Sequence, residues 1–215
     1  MKNLLKLFIV ALMLGLSVHS FAQVKFGIRA GLNLSNMLMK DNDYNYSKEN
    51  KFKMKPGFNF GPTLELPISD NISFETALLL STYGVKAEFD NGEGTTKGSL
   101  NLFYLHVPLT AKAKFDVGGI QVFGAIGPYL GYGISGKFKE EGSPDRDVKW
   151  GSGSNDDFKP IDFGLYVGAG VAIKAIEVGL SYDLGLANFA VSTDNGYKEM
   201  NRLFAVFVGY KFGKK

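Results

Sequence analysis

Eleven charged side chains fall on the polar side of segments in which apolar and polar residues alternate. They are Lys25, Arg29, Lys112, Lys114, Lys174 and Lys211, with Glu65, Glu75, Asp162, Glu177 and Asp183. Such a set could line a charged channel or a gated polar core, or it could form a paired ionic network in a closed interior. Because buried charges must be paired and six cations face five carboxylates, we favour the network.

His106 is the candidate for acid–base chemistry, since it is the only histidine outside the N-terminal segment. A catalytic histidine needs a nucleophile and an orienting acid close by. No recognisable Ser or Asp motif accompanies His106, so we interpret it as an interior polar group bonded to a neighbour. The sequence predicts no catalytic residue, no cofactor-binding residue and no metal ligand, and therefore no enzyme.

Carboxylates also collect in two polar connections, 36–52 and 138–158. They are Asp41, Asp43 and Glu49 in the first, and Glu140, Glu141, Asp145, Asp147, Asp156 and Asp157 in the second. Carboxylates could hold Ca²⁺, but no Asp-x-Asp-x-Asn-Gly pattern occurs, so we predict solvated loops. The connection 138–158 has little apolar content and is expected to be mobile, without a core of its own. Exposed aromatic residues in these connections, Tyr44, Tyr46 and Trp150, could contact a partner or a glycan.

Composition narrows the class of protein. The chain has 215 residues with 27 Gly, 18 Phe, 10 Tyr and no Cys, which fits one all-β domain and excludes disulfide and thiolate sites. Without Lys2 and Lys6, 22 basic side chains (24 minus 2) stand against 21 acidic ones. That balance argues against a nucleic-acid partner.

The N-terminal segment has the pattern of a secretory signal peptide over residues 1–22. Lys2 and Lys6 precede an apolar run from Leu7 to Val18, which at about twelve residues is too short to span a membrane. Small residues at Ser20 and Ala22 predict cleavage after Ala22. The mature domain is then expected over 23–215, outside the cytoplasm.

Eight segments of the mature chain alternate with period two, which indicates β-strands with one apolar face. They cover 25–35, 57–66, 72–86, 102–115, 119–136, 162–174, 176–184 and 202–212. Tight connections alternate with the long polar connections 36–52, 88–99, 138–158 and 187–201. Short turns at one end and long loops at the other are typical of outer-membrane barrels.

The composition of the two faces predicts which one meets lipid. An eight-stranded barrel leaves an interior only wide enough for side chains. The Gly-, Ala- and Ser-rich face is therefore expected inside, and the Phe-, Leu-, Ile- and Val-rich face outside. Phe103 and Phe115, twelve residues apart, would lie about 28 Å apart along the membrane normal, close to the apolar band between aromatic girdles.

Four fragments resemble strands of the PorT-type outer-membrane β-barrel proteins of the Bacteroidetes. They are YLHVPL at 104–109, GPYLGY at 127–132, DFGL with GAG within 162–170, and NR at 201–202 followed by GYKF at 209–212. The resemblance implies an eight-stranded, OmpA-like barrel in the outer membrane, and it implies no reaction.

We therefore predict an all-β, eight-stranded antiparallel up-and-down transmembrane β-barrel in the outer membrane of a Gram-negative cell. The first functional hypothesis is a structural or interaction module that meets partners through its extracellular loops. The alternatives are porin-like transport of small solutes and a lipid-modifying enzyme. Expected partners are outer-membrane lipid, the outer-membrane insertion machinery and an extracellular or secretion-system protein; the barrel is expected to be a monomer without a cofactor.

Overall fold

The computed structural model describes residues 24–49, 52–90 and 95–212. The predicted signal peptide, residues 1–22, lies outside the described residues. Within them, no helix has both the length and the apolar character to cross a membrane.

Eight long strands follow one another along the chain, and the third is divided into two sections at Leu78. They are β1 (Lys25–Lys40), β2 (Lys55–Pro67), β3 (Ile72–Ala77 and Leu79–Asp90), β4 (Thr95–Val117), β5 (Ile120–Glu140), β6 (Ile161–Ile173), β7 (Ile176–Gly185) and β8 (Lys198–Lys211). The remaining elements are a helical turn at Tyr46–Glu49, a two-residue strand at Arg146–Asp147 and a 3₁₀ turn at Asp194–Gly196. The eight strands confirm the all-β prediction.

The strands close into a barrel through antiparallel pairing of the first strand with the last. Arg29 on β1 lies opposite Gly61 on β2 and also opposite Gly209 on β8. Every other strand pairs with its two neighbours in sequence. Closure leaves no free edge, and a sheet without an edge can satisfy its backbone hydrogen bonds in lipid. The up-and-down barrel predicted from the alternation is confirmed.

Short turns join the strands at one end of the barrel. Gly118 and Gly119 connect β4 to β5, and their φ angles of 63° and 87° suit a tight two-residue hairpin. At the opposite end three connections are longer and are named here loop 1 (41–54), loop 3 (141–160) and loop 4 (186–197). Residues 91–94, which join β3 to β4 and are called loop 2, lie outside the described residues. The predicted long connections 36–52, 138–158 and 187–201 overlap these loops. The predicted long connection 88–99 is wrong, because β3 and β4 stay paired as far as Asp90 opposite Thr95.

The side chains divide between inside and outside as the alternation predicts. On β4, Lys112 points inward and is 0% exposed, whereas Phe115 points outward and is 58% exposed. Within β5 the inward assignment of Ser135 is wrong: Ser135 points outward, because the pairing between β4 and β5 shifts where Phe103 faces Ser135 but Tyr104 faces Gly133. This β-bulge turns Phe138 toward the interior.

Two neighbouring strands reach well beyond the apolar band. β4 has 23 residues and β5 has 21, whereas about ten tilted residues cross a bilayer. Outward positions of β4 are apolar between Phe115 and Phe103 and then become polar at Asn101, Ser99 and Lys97. The hairpin of β4 and β5 therefore projects out of the membrane at the long-loop end.

The apolar outer face predicts a strong effect of charge at mid-strand. Leu109 faces outward in the middle of β4, so Leu109→Arg should cost about 2–4 kcal/mol of barrel stability. Ser99→Arg, outward on the same strand but beyond the apolar band, should cost only about 0–1 kcal/mol. Urea unfolding of the two variants in lipid vesicles measures the difference. Equal stability of both variants would show that the assignment of faces is wrong.

Candidate functional site

The interior of the barrel is filled by three layers of side chains. An ion cluster lies at the short-turn end, a polar belt lies at mid-height, and an apolar plug lies beneath the long loops. Each layer is built from residues of strands that are distant in sequence.

The ion cluster contains three glutamates and four cationic side chains, listed as Glu65, Glu75, Glu177, Arg29, Lys112, Lys114 and Lys211. The Lys112 ammonium is its centre: Nζ donates to Glu177 Oε1 at 2.6 Å and to Glu75 Oε2 at 2.9 Å, and it lies 3.4 Å from Glu65. Lys211 Nζ adds a bond to Glu75 Oε2 at 2.6 Å. The predicted paired ionic network is therefore present.

The carboxylates of this cluster are also the candidate ligands for a metal ion. Oxygens of Glu65, Glu75 and Glu177 come within 4.8 Å of one another, which is close enough to share an ion. Lys112 and Lys211 already bond to these carboxylates, and Arg29 donates to Glu75 at 2.6 Å. Because four side-chain cations neutralise three carboxylates, the cluster offers no site for a further cation.

Four of the eleven predicted interior charges lie outside the ion cluster. Lys25 and Lys174 are exposed, because they occupy the end of a strand and a turn, where alternation no longer directs side chains inward. Asp162 and Asp183 are interior as predicted, but they belong to the polar belt. The network therefore contains seven of the eleven residues.

The polar belt surrounds His106, whose side chain is buried between aromatic rings. Its ring lies 4.9 Å from that of Tyr129 and 6.2 Å from that of Tyr83. Asp183 Oδ2 is 3.1 Å from His106 Nε2, outside hydrogen-bond geometry, and accepts a bond from the Tyr83 hydroxyl at 2.9 Å. His106 is therefore an interior group as predicted and contacts the Asp183 carboxylate, although neither ring nitrogen forms a well-aligned hydrogen bond.

Access to the belt decides what His106 can do. An acid, Asp183, stands beside it as catalysis would require, and Ser81 and Ser181 line the same cavity. That cavity has a volume of about 10 Å³, enough for a single water molecule at most. A substrate therefore cannot reach His106, and the arrangement is suited to packing.

The apolar plug closes the interior beneath the long loops, and it was missed by the sequence analysis. Its buried residues are Met37, Tyr83, Val85, Leu100, Leu102, Tyr104, Val148, Phe158, Phe189 and Leu203. Val148 and Phe158 belong to loop 3, and Trp150 of the same loop packs against the cluster. The sequence contains one indication of the plug: Val148 and Trp150 are apolar residues that fall on the same side of a polar segment.

The expectation that 138–158 is mobile and packs no core is therefore wrong. Loop 3 is tied down by a bridge between Trp150 and Phe158 and by another between Phe158 and Ala190 of loop 4. Arg146 donates to both oxygens of Asp157, at 3.0 and 2.8 Å. Burial raises the pKa of Asp157, but bonds from Arg146 and from the Lys149 amide outweigh it and lower the pKa overall.

The other loop residues singled out by sequence are placed as follows. Asp41 accepts a bond from the Tyr46 hydroxyl at 2.8 Å, which lowers the pKa of that carboxyl. Tyr44 is half-exposed, whereas Tyr46 packs edge-on against Tyr197 of loop 4 at 6.0 Å. Loop carboxylates do not converge: among the described residues, the one group spaced for a metal is that of the ion cluster.

Loops 3 and 4 enclose an open cleft of about 590 Å³ on the long-loop side of the barrel. Its walls are Ser152, Ser154, Asp156, Asp157, Phe158, Ala190, Val191, Ser192, Tyr197 and Glu199. The cleft therefore combines an apolar floor with hydroxyl and carboxylate groups. Glu199 was not predicted as a site residue, because the sequence placed it in a connection and the structure places it on β8.

The ion cluster predicts a large effect of losing its central cation. Lys112→Met leaves buried carboxylates short of one partner and should cost about 3–5 kcal/mol of unfolding free energy. Lys174→Met, which removes an exposed lysine, should change it by less than about 0.5 kcal/mol. Adding Glu177→Gln to Lys112→Met should recover part of the loss in urea unfolding. A fully additive double mutant would contradict the network.

The plug predicts a specific response to bulk at Gly133. A Cβ atom there would lie 2.4 Å from the Trp150 ring, so Gly133→Val should displace this ring and cost about 1–3 kcal/mol. Because Trp150 is the single tryptophan, its fluorescence should shift to the red and become more accessible to acrylamide. Gly124→Val on the same strand has no neighbour within 4 Å and is the control. Unchanged Trp150 fluorescence in Gly133→Val would refute the plug.

Comparison with known proteins shows the family to which this barrel belongs. The family described as outer membrane protein beta-barrel domain matches residues 21–191. A search of curated proteins returned no match.

Solved outer-membrane proteins are similar over most of their length. Ail, the attachment invasion locus protein of Yersinia pestis, is 16% identical with a TM-score of 0.40, over 87% of this chain and 98% of Ail. OprG from Pseudomonas aeruginosa is 14% identical with a TM-score of 0.48, over 88% and 96%. Neisserial surface protein A is 13% identical with a TM-score of 0.43, over 87% and 97%. With a closed lipid-facing barrel and a family match over 21–191, this chain belongs to the outer membrane protein beta-barrel domain family and resides in the outer membrane.

Proposed function

We propose that this protein is a non-conducting barrel that binds a partner outside the cell through its long loops. The observation that carries the proposal is the filled interior, in which ion cluster, polar belt and apolar plug follow one another along the axis. An eight-stranded barrel has room only for side chains, and here the three layers occupy that interior. The loops are then the surface available for function.

Loops 1, 3 and 4 support this function because contacts between them form one pre-organised surface. The Asn42 amide of loop 1 donates to Asn195 O of loop 4 at 3.1 Å, and Asn195 Nδ2 donates to Asp43 at 2.7 Å. The bridge from Phe158 to Ala190 connects loop 3 to loop 4. Binding to a surface that is already ordered avoids much of the entropy loss that mobile loops would incur.

The proposal extends to the class of partner, to export and insertion of the chain, and to its oligomeric state. The PorT-like fragments, among them GPYLGY at 127–132, favour a role beside a secretion-system or other extracellular protein. We further propose removal of residues 1–22 on export, insertion of 23–215 by the outer-membrane insertion machinery, a monomeric state and the absence of catalysis. Mass spectrometry of the protein isolated from outer membranes would test whether the mature chain begins at Gln23.

Single-channel recording tests the closed interior. The purified full-length protein in planar bilayers should show no long-lived openings of nanosiemens size, because the three layers block the axis. A sixteen-stranded porin recorded in the same bilayers is the positive control. Stable openings of that size in the wild-type protein would overturn the proposal and favour porin-like transport.

The porin-like alternative would require the interior of the barrel to rearrange. Transport along the axis would require Lys112 to leave its carboxylates and the plug to open at the same time. Each of these steps exposes buried groups that are paired or packed in the structure. We therefore prefer the interaction function.

A further inference from the structure

The buried carboxylate of the cleft between loops 3 and 4, that of Glu199, lacks a positive partner among the described residues. Glu199 is 7% exposed and lines the cleft. Its Oε1 accepts a bond from the Tyr197 hydroxyl at 2.8 Å, and among the described residues no Lys, Arg or His lies within ion-pair distance of it. A buried carboxylate is costly unless a cation or several hydrogen bonds compensate it.

Glu199 is held in place by its own backbone. Its amide donates to Asn188 Oδ1 at 2.8 Å, and its carbonyl accepts a bond from the Phe189 amide at 3.1 Å. Toward the long-loop end of β8, the outward side chains change from apolar at Phe204 to charged at Arg202. Glu199 lies farther along in the same direction and is therefore beyond the membrane. The backbone of Glu199 is thus fixed, and its largely buried side chain lines a cleft that opens on the long-loop side of the barrel.

The other charged groups of the cleft are already engaged. Arg146 neutralises Asp157, and Asp156 accepts a bond from the Gly153 amide at 2.8 Å. These carboxylates do not converge with Glu199 on a point that a metal ion could occupy. No lysine or arginine lines the cleft, while Phe158, Ala190 and Val191 supply apolar surface beside the hydroxyls.

We propose that this cleft binds a primary ammonium group on an alkyl chain, as in a diamine or a lysine side chain. Glu199 accepts the ammonium hydrogen bonds and supplies the opposite charge. The serine hydroxyls of the cleft accept hydrogen bonds from the remaining hydrogens of the ammonium group. Phe158 and Val191 contact the alkyl chain. The volume of about 590 Å³ lies in the range of small-molecule sites. This inference rests on one part of the proposed function, namely that the long loops lie outside the cell.

Protonation of Glu199 gives the binding a characteristic pH dependence. Burial raises the pKa of Glu199 to about 7, against a smaller opposing effect of the Tyr197 hydroxyl. Tyr197 bonds to it, Tyr104 of β4 interacts with its charge, and Asp156 and Asp157 of loop 3 line the same cleft. Asp157 stays ionised because its pKa is lowered. An ammonium ligand binds the ionised form, so affinity should rise as pH increases from 6 to 8.

Calorimetry on the full-length protein in lipid nanodiscs tests the proposal. Cadaverine and Nα-acetyl-lysine amide are the two ammonium probes, and they distinguish a free diamine from a lysine side chain. 1,5-Pentanediol, which has the same chain without charge, should not bind. Glu199→Gln should weaken binding of the better probe about tenfold or more, whereas Asp145→Asn in loop 3, outside the cleft, should leave it unchanged.

The outcomes separate this inference from the proposed function. Binding of neither ammonium probe, equal binding of the diol, or unaltered affinity in Glu199→Gln would overturn the inference. If Glu199→Gln does not fold, the wild-type protein still decides, because binding that is independent of pH between 6 and 8 also refutes it. A cleft that fails these tests in a barrel that does not conduct leaves the proposed function in place.

Discussion

The ammonium of Lys112 and the carboxylates around it are the interaction on which the rest of the barrel depends. The ion cluster takes residues from six strands: Arg29 from β1, Glu65 from β2, Glu75 from β3, Lys112 and Lys114 from β4, Glu177 from β7 and Lys211 from β8. A slip of one residue in any of these strands would turn a charge into lipid and leave its partners buried alone. The cluster therefore specifies the register of the sheet, in addition to filling space.

Polarity changes along the axis in a consistent direction. Charged groups fill the short-turn end, hydrogen-bonding groups such as His106 and Tyr83 fill the middle, and apolar groups fill the long-loop end. The outer face is apolar throughout the band, so the interior need not be hydrophobic in order to hold the protein in the membrane. At the long-loop end the strands extend beyond the lipid, and there an apolar interior becomes useful again because water surrounds it.

The alternating pattern was sufficient to predict the strands, their faces and the ionic network. Each face of a strand meets one environment, so a residue such as Phe115 or Lys112 reports its side directly. The pattern failed where local geometry changes, as at Ser135, since a bulge in a Gly-rich stretch leaves no mark in the sequence. It also failed for loop 3, where abundant Gly and acidic residues hid the apolar contacts of Trp150.

The cleft was unpredictable for a different reason. Glu199 acquires its properties from Tyr197 and from a wall contributed by a loop about forty residues earlier in the chain, at 152–158. A single sequence contains no information on which loops will meet. The same limitation applies to the plug, where Met37 and Phe189 meet from opposite ends of the chain.

The pairing of Lys211 with Glu75, 136 residues away, has a consequence for assembly of the barrel. The ion cluster cannot be completed until β8 has joined β1, so an open precursor carries buried carboxylates on β2 and β3 that lack their bonds to Lys211. Lipid would penalise these groups strongly if the early strands crossed the membrane alone. Strand closure and passage into the bilayer are therefore coupled events, and the last strand to be synthesised controls when the earlier ones become stable in lipid.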